Sequence, residues 1–278
     1  MDIKDRGVPH SIGRENLRED RPLSGKGVDA MRHENRPPVS QANRFVRAVN
    51  IQWGKVARDS YLRGIPALAA TDRVEFTHQV TFLAGENGTG KSTLLEAIAV
   101  AYGFNAEGGT LNYDFSTYDD VSDLQEAVRL ELGYRKRNSG YFFRAESFFT
   151  VATAEERLYS DAFHPSEHYH ERSHGESFLD YMQSDSREGL YLLDEPEAAL
   201  SQQRQLTLLL YLHQMAANGS QFIIVTHSPI LLGLPEAQIL EFGDGGIAPV
   251  EYEDTDSYQI TRLFLDDREG LLRRLFQE

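Results

Sequence analysis

The sequence contains no cysteine. That absence excludes a disulfide framework, a thiolate metal centre and a cysteine nucleophile, and it suits a reducing compartment. Positive charge is also scarce, since 28 basic residues against 43 acidic ones leave a formal charge of -15. A surface of that sign repels phosphate backbones, so no strong nucleic-acid surface is expected, although a local basic groove stays open. Long apolar runs are missing: none approaches the about 20 residues that a helix needs to cross a bilayer. The first twenty residues are charged throughout, with none of the apolar core of an export leader. A cytoplasmic protein is expected, neither Sec-exported nor membrane-spanning. What the chain does have is 40% hydrophobic residues over 278 positions, enough for a sizeable core.

Residues 1–43 are rich in Arg, Glu, Asp, Gly and Pro and show neither helical nor strand periodicity, which reads as a disordered tail before a domain at 44–278. From Phe45 the odd positions Val49, Ile51 and Trp53 alternate with polar neighbours, as in a half-buried strand. A β-rich region follows to about Phe82. Val80–Ala84 is a short apolar strand, and Ser92–Ala101 has the helical spacing Leu94, Leu95, Ile98, Ala101. Gly189–Leu193 and Gln221–Val225 are two more buried strands, separated by an amphipathic helix from about Glu197 to Ala217 that stops at Asn218-Gly219. Strand, helix, strand is a parallel βαβ unit, so the fold class is α/β: a mixed sheet flanked by helices, with a β-rich N-terminal region. Residues 104–172 break the rhythm and read as an inserted subdomain containing a strand at Gly140–Arg144. The C-terminal pattern Ile260, Leu263, Phe264, Leu271, Leu272, Leu275, Phe276 has helical spacing and is expected to pack in the core, with partner docking as the alternative.

One motif stands where its chemistry requires. Gly85-Glu86-Asn87-Gly88-Thr89-Gly90-Lys91-Ser92, followed by Thr93, fits G-x-x-x-x-G-K-[ST] between a strand and a helix. Its glycines let successive backbone N–H groups converge on phosphates at the positive end of a helix, a P-loop. Lys91 would reach the β- and γ-phosphates, and the Ser92 hydroxyl would ligate Mg²⁺. Leu190–Leu193 ends in Asp194 and Glu195, the first suited to hold Mg²⁺ and the second to polarise an attacking water. Alone, such a pair is more often an ordinary helix cap; the P-loop upstream reverses that weighting. Thr226-His227-Ser228-Pro229 ends the next strand and brings an imidazole to the same sheet edge. His164, His168, His170 and His174 crowd together, but a zinc site would need a definite closed shell and is not the preferred reading.

Taken together, Gly-Glu-Asn-Gly-Thr-Gly-Lys-Ser-Thr, Leu-Leu-Asp-Glu-Pro-Glu and Thr-His-Ser-Pro resemble an ABC-type ATPase, most closely the soluble stand-alone ATPases of that class that carry an AAA label, over about Phe45 to Phe276. The resemblance implies a signature loop about twenty residues before Asp194, where Arg172-Ser173-His174-Gly175-Glu176 stands, with Ser173 and Gly175 matching. These two would bind the γ-phosphate held by another subunit. It also implies a D-loop at Ala198–Ser201, a Q-loop position after Tyr141–Phe143 where Glu146 would approach Mg²⁺ through water, and an adenine-stacking aromatic near Tyr61. The expected function is Mg²⁺-dependent ATP hydrolysis by a homodimer that closes on ATP and drives or gates a separate, unidentified effector. The alternative is a nucleotide-switched binding module with little turnover, for instance in DNA repair or phage defence.

Overall fold

Short runs of β-branched and aromatic residues build the strands, and their period-two alternation sends side chains into two separate cores. The computed structural model describes residues 44–111, 124–135, 139–145 and 187–276 together with Leu179 and Met182, all within the unit Val39–Glu278. The N-terminal tail and most of 104–172 lie outside the described residues.

The strands are β1 (Val46–Ile51), β2 (Arg73–Glu75), β3 (Val80–Gly85), β4 (Gly109–Thr110), β5 (Val128–Leu132), β6 (Gly140–Arg144), β7 (Leu190–Asp194), β8 (Gln221–Val225), β9 (Gln238–Gly243) and β10 (Gly246–Pro249). One sheet is a three-stranded antiparallel layer in the order β2-β1-β5; the other runs β10-β9-β3-β8-β7-β6-β4. The five central strands of the larger sheet are parallel, and only its edges β10 and β4 are antiparallel. Of the parallel strands, β3, β6, β7 and β8 are buried on both faces, which is why they read as nearly continuous apolar runs.

The helix α1 (Lys91–Tyr102) lies in the first core. Its Leu94, Leu95 and Ile98 pack with Val46 and Val49 of β1 and with Leu83, Leu192 and Ile223 of the large sheet. The opposite face of that sheet, with Phe82, Tyr191, Leu193, Phe222 and Ile224, packs on Leu208, Tyr211, Leu212 and Met215 of α2 (Gln202–Ala217). Odd and even residues of β7 and β8 thus go to different cores, as their alternation requires. The small sheet is tied on by Gln221, which is fully buried. Its Oε1 accepts from the N–H groups of Phe45 and Val46 at 2.8 and 2.9 Å, and its Nε2 donates to the Val46 carbonyl at 2.8 Å.

Four expectations shift. Trp53 is not in the first strand, which ends at Ile51; it opens a 3₁₀ turn, Trp53–Lys55, and its indole N–H donates to the Thr71 carbonyl at 3.1 Å. Strand β7 begins at Leu190 rather than Gly189. The helix expected from Glu197 is broken: a 3₁₀ turn, Pro196–Ala199, ends at an extended Leu200, and α2 starts only at Gln202. Glu195 holds a left-handed backbone in front of the proline, so a helix cannot run straight out of the strand. Finally, the C-terminal apolar residues do not enter the core. They lie on α3 (Asp256–Asp266) and α4 (Arg268–Phe276), which have no buried residue, and Ile260, Leu263, Phe264, Leu275 and Phe276 are exposed.

Candidate functional site

The loop between β3 and α1 closes on itself. Gly85, Gly88 and Gly90 have φ of +128°, +80° and +91°, in the left-handed range that favours glycine. At Gly90 a side chain is excluded twice, because a Cβ there would also stand 2.7 Å from Leu68 Cδ1. The Thr89 hydroxyl donates to the Glu86 carbonyl at 2.8 Å across the turn. Glu86, Asn87 and Gly88 form the exposed crest, and Ser92 and Thr93 fall in the first turn of α1, where unpaired N–H groups and the positive helix end favour an anion.

Lys91 is buried, and its ammonium donates to the carbonyls of Gly85 and Glu86 at 2.8 and 2.6 Å, curling back over the loop. Burial pushes its pKa below the ordinary lysine range, while Glu195, Asp194, Glu197 and Glu86 oppose that shift. Four carboxylates around one ammonium leave this corner short of positive charge. It suits a triphosphate only together with a further cation.

The Ser92 hydroxyl donates to Asp194 Oδ1 at 2.8 Å, joining residues 102 positions apart. A hydroxyl and a carboxylate side by side are the hard oxygen donors that Mg²⁺ takes, with phosphates and waters completing its shell. Among the described residues no group of three or more His, Cys, Asp or Glu side chains could hold a metal; a Mg²⁺ bound with nucleotide does not need one.

Glu195 follows directly, with φ 49° and ψ 53°, a strained conformation for a residue with a side chain. Its N–H donates to the Val225 carbonyl at 3.0 Å, which fixes it to the end of β8. From there its Oε1 lies 3.8 Å from His227 Nε2, and both side chains remain partly exposed, at 46% and 38%. His227 Nε2 itself is covered and has no hydrogen-bond partner among the described residues. The backbone of this histidine is held at both ends: its N–H donates to Glu197 Oε1 at 2.6 Å, and its carbonyl accepts from the Ser257 hydroxyl.

Tyr61 lies in the 3₁₀ turn Tyr61–Gly64, just before Ile65 and Leu68, whose side chains face Gly90. Its ring is exposed beside the segment that supports the P-loop. Ser173, Gly175, Glu146 and the histidine cluster lie outside the described residues. Sequence reasoning missed three groups that the fold brings here: Glu197, Glu96 and Arg144. The Arg144 guanidinium donates to Glu96 Oε2 at 2.8 Å and to the Ala106 carbonyl at 3.1 Å, and its Nε is 3.9 Å from Asp194 Oδ2. The signal was present in part: Glu96 is one helical turn beyond Ser92, and β6 and β7 are both parallel strands of one sheet.

The fold is similar to those of solved structures that include MJ1267 in its ADP conformation, an ATP-binding cassette of an ABC transporter, at 15% identity over 84% of this chain and 99% of that one with a TM-score of 0.40, and the SMC head domain from Thermotoga maritima, at 14% identity over 74% and 99% with a TM-score of 0.43. No curated protein matches the sequence at a significant level. No helix among the described residues is long and apolar enough to cross a membrane. The family model of the AAA domain matches residues 61–223. That match spans more than half of the chain and contains the P-loop, Asp194 and Glu195, so the chain belongs to the AAA domain family and is an ATPase-type P-loop domain.

Proposed function

We propose that the protein is a Mg²⁺-dependent ATPase whose two copies close on ATP and reopen after hydrolysis, gating a separate effector in the cytoplasm. The observation that carries this reading is the contact of Ser92 with Asp194, because it unites the end of the phosphate loop with the end of β7 at cation-binding distance. The loop N–H groups and Lys91 hold the β- and γ-phosphates, and Tyr61 stacks on the base. Ser92 and Asp194 would hold Mg²⁺ and Glu146 would approach it through water; the ion would supply charge neutralisation at the phosphates. Glu195 orients the attacking water and takes its proton, and His227 fixes the γ-phosphate from the neighbouring strand end. The open side of Glu195 and His227 is the face that a second copy covers, with its Ser173 and Gly175 against the γ-phosphate.

The test is Glu195→Gln, which keeps shape and removes the base. Light scattering with Mg-ATP should then show a persistent dimer, whereas wild type dimerises only transiently. Glu195→Gln combined with Ser173→Arg should bind ATP yet stay monomeric. A dimer that survives the Ser173 change would remove the contact across the interface. Absence of any ATP-dependent dimer in the single variant would favour a monomeric switch.

A further inference from the structure

Arg144 ends β6 in register with Asp194, the last residue of β7. The two carboxylates it faces, Glu96 and Asp194, come from α1 and β7, and their side chains are only 15% and 11% exposed. Two nearly buried carboxylates beside one another are costly unless a cation sits with them. Arg144 is that cation: bonded to Glu96, anchored on the Ala106 carbonyl, and facing the Asp194 oxygen that Ser92 does not use. Lys91 also feels the charge of Asp194, but its ammonium hydrogen-bonds the Gly85 and Glu86 carbonyls and not these carboxylates.

We propose that Arg144 is a positioning residue that serves as the resident counter-ion of Asp194, keeping that carboxylate oriented toward Ser92, and that an incoming Mg²⁺ competes with it for the same carboxylate. This rests on the Mg-ATP site proposed above. Glu96 sets the balance, for it draws the guanidinium away from Asp194 and toward α1. The arginine thereby raises the Mg²⁺ concentration needed to load the site, and it couples loading to the end of β6 and to the Ala106 segment.

The two partners should shift the Mg²⁺ requirement in opposite directions. The measurement is the Mg²⁺ concentration for half-maximal binding of a fluorescent, non-hydrolysable ATP analogue. Arg144→Gln removes the competing charge and should lower that concentration by about tenfold or more, since the repulsion between a unit charge and a divalent ion at about 4 Å well exceeds thermal energy even at the dielectric of water. Arg144→Lys, which keeps the charge, should restore a value near wild type. Glu96→Gln releases the guanidinium toward Asp194 and should raise the requirement several-fold, a result that stands even if Arg144→Gln does not fold. A merely structural role would lower the melting temperature without moving the Mg²⁺ midpoint, and unchanged midpoints in both Arg144→Gln and Glu96→Gln overturn the proposal. So does a higher requirement in Arg144→Gln. If wild type shows no Mg²⁺-dependent binding of the analogue, the site assignment itself falls and takes this inference with it; a wild-type dependence with unmoved variants removes this inference alone.

Discussion

At Lys91, burial and phosphate chemistry pull in opposite directions. Desolvation favours the neutral amine, while a bound triphosphate favours the ammonium. Below the lowered folded value the group is charged in both folded and unfolded chains, and the burial cost is present in full. Between that value and the ordinary lysine range the unfolded chain binds more protons, so this group's contribution to stability rises with pH across that window. Nucleotide affinity follows the opposite course. ATP binding should weaken as pH climbs through the lowered Lys91 value, below the about 10.4 of an ordinary lysine, and binding there should take up a proton. Calorimetry in buffers of different ionisation enthalpy measures that uptake. Its absence, or its persistence in Lys91→Arg, would mean that another group is titrating. Gln221 offers a second residue-scale test. Gln221→Leu would remove the hydrogen bonds of the Phe45 and Val46 N–H groups and of the Val46 carbonyl to this side chain, a loss of about 3 kcal/mol or more at about 1–3 kcal/mol for each unsatisfied buried group. Denaturant melts would show it, and an unchanged midpoint would mean that water reaches these groups.

At the scale of elements, position along the sequence is a poor guide to which apolar stripe is inside. α1 and α3 both carry apolar residues at helical spacing, yet Leu94 and Ile98 are wholly buried while Ile260 and Phe264 are exposed. Substitution separates them. Ile98→Ala should cost about 2–5 kcal/mol, as expected for a large-to-small change in a packed core. Ile260→Ser should change folding stability by no more than about 0.5 kcal/mol, because this residue is 65% exposed on a helix with no buried residue. A large loss from the second change would show that α3 packs on something in solution. The same contrast explains what the sequence made legible. Strands β6 and β8 could be bounded to the residue, since their apolar runs stop at charge or at turn residues on both sides. The P-loop, Asp194, Glu195 and His227 were readable because each must sit at a strand end, and a strand end is a local feature. Arg144, Glu96 and Glu197 were not, for their roles depend on which strands become neighbours. The break at Leu200-Ser201 was hidden for a similar reason: it follows from the backbone of Glu195, which no apolar period records.

For the molecule as a whole, charge decides how two copies can meet. Each chain carries a formal -15, so two of them approach against a long-range repulsion. The proposed closure brings together the faces bearing Glu86, Glu195 and Glu197, and each bound nucleotide adds negative charge that a divalent ion only partly offsets. Contacts at the closed interface are short-range and little screened, whereas the repulsion between whole bodies is screened over about 10 Å at 0.1 M salt. With ATP saturating, dimerisation of the Glu195→Gln chain should therefore strengthen as monovalent salt rises from about 0.01 to 0.15 M, a range in which the screening length falls from about 30 to 8 Å. Association steered by opposite charges would do the reverse. Sedimentation of the ATP-bound variant across that range gives the dissociation constant directly. A dimer that weakens steadily with salt would show that complementary patches dominate the interface. In that event Ser173 and Gly175 could not be its main adhesive, since neither side chain bears charge, and the search for the contact surface would move to the arginines of the small sheet, Arg47 and Arg73.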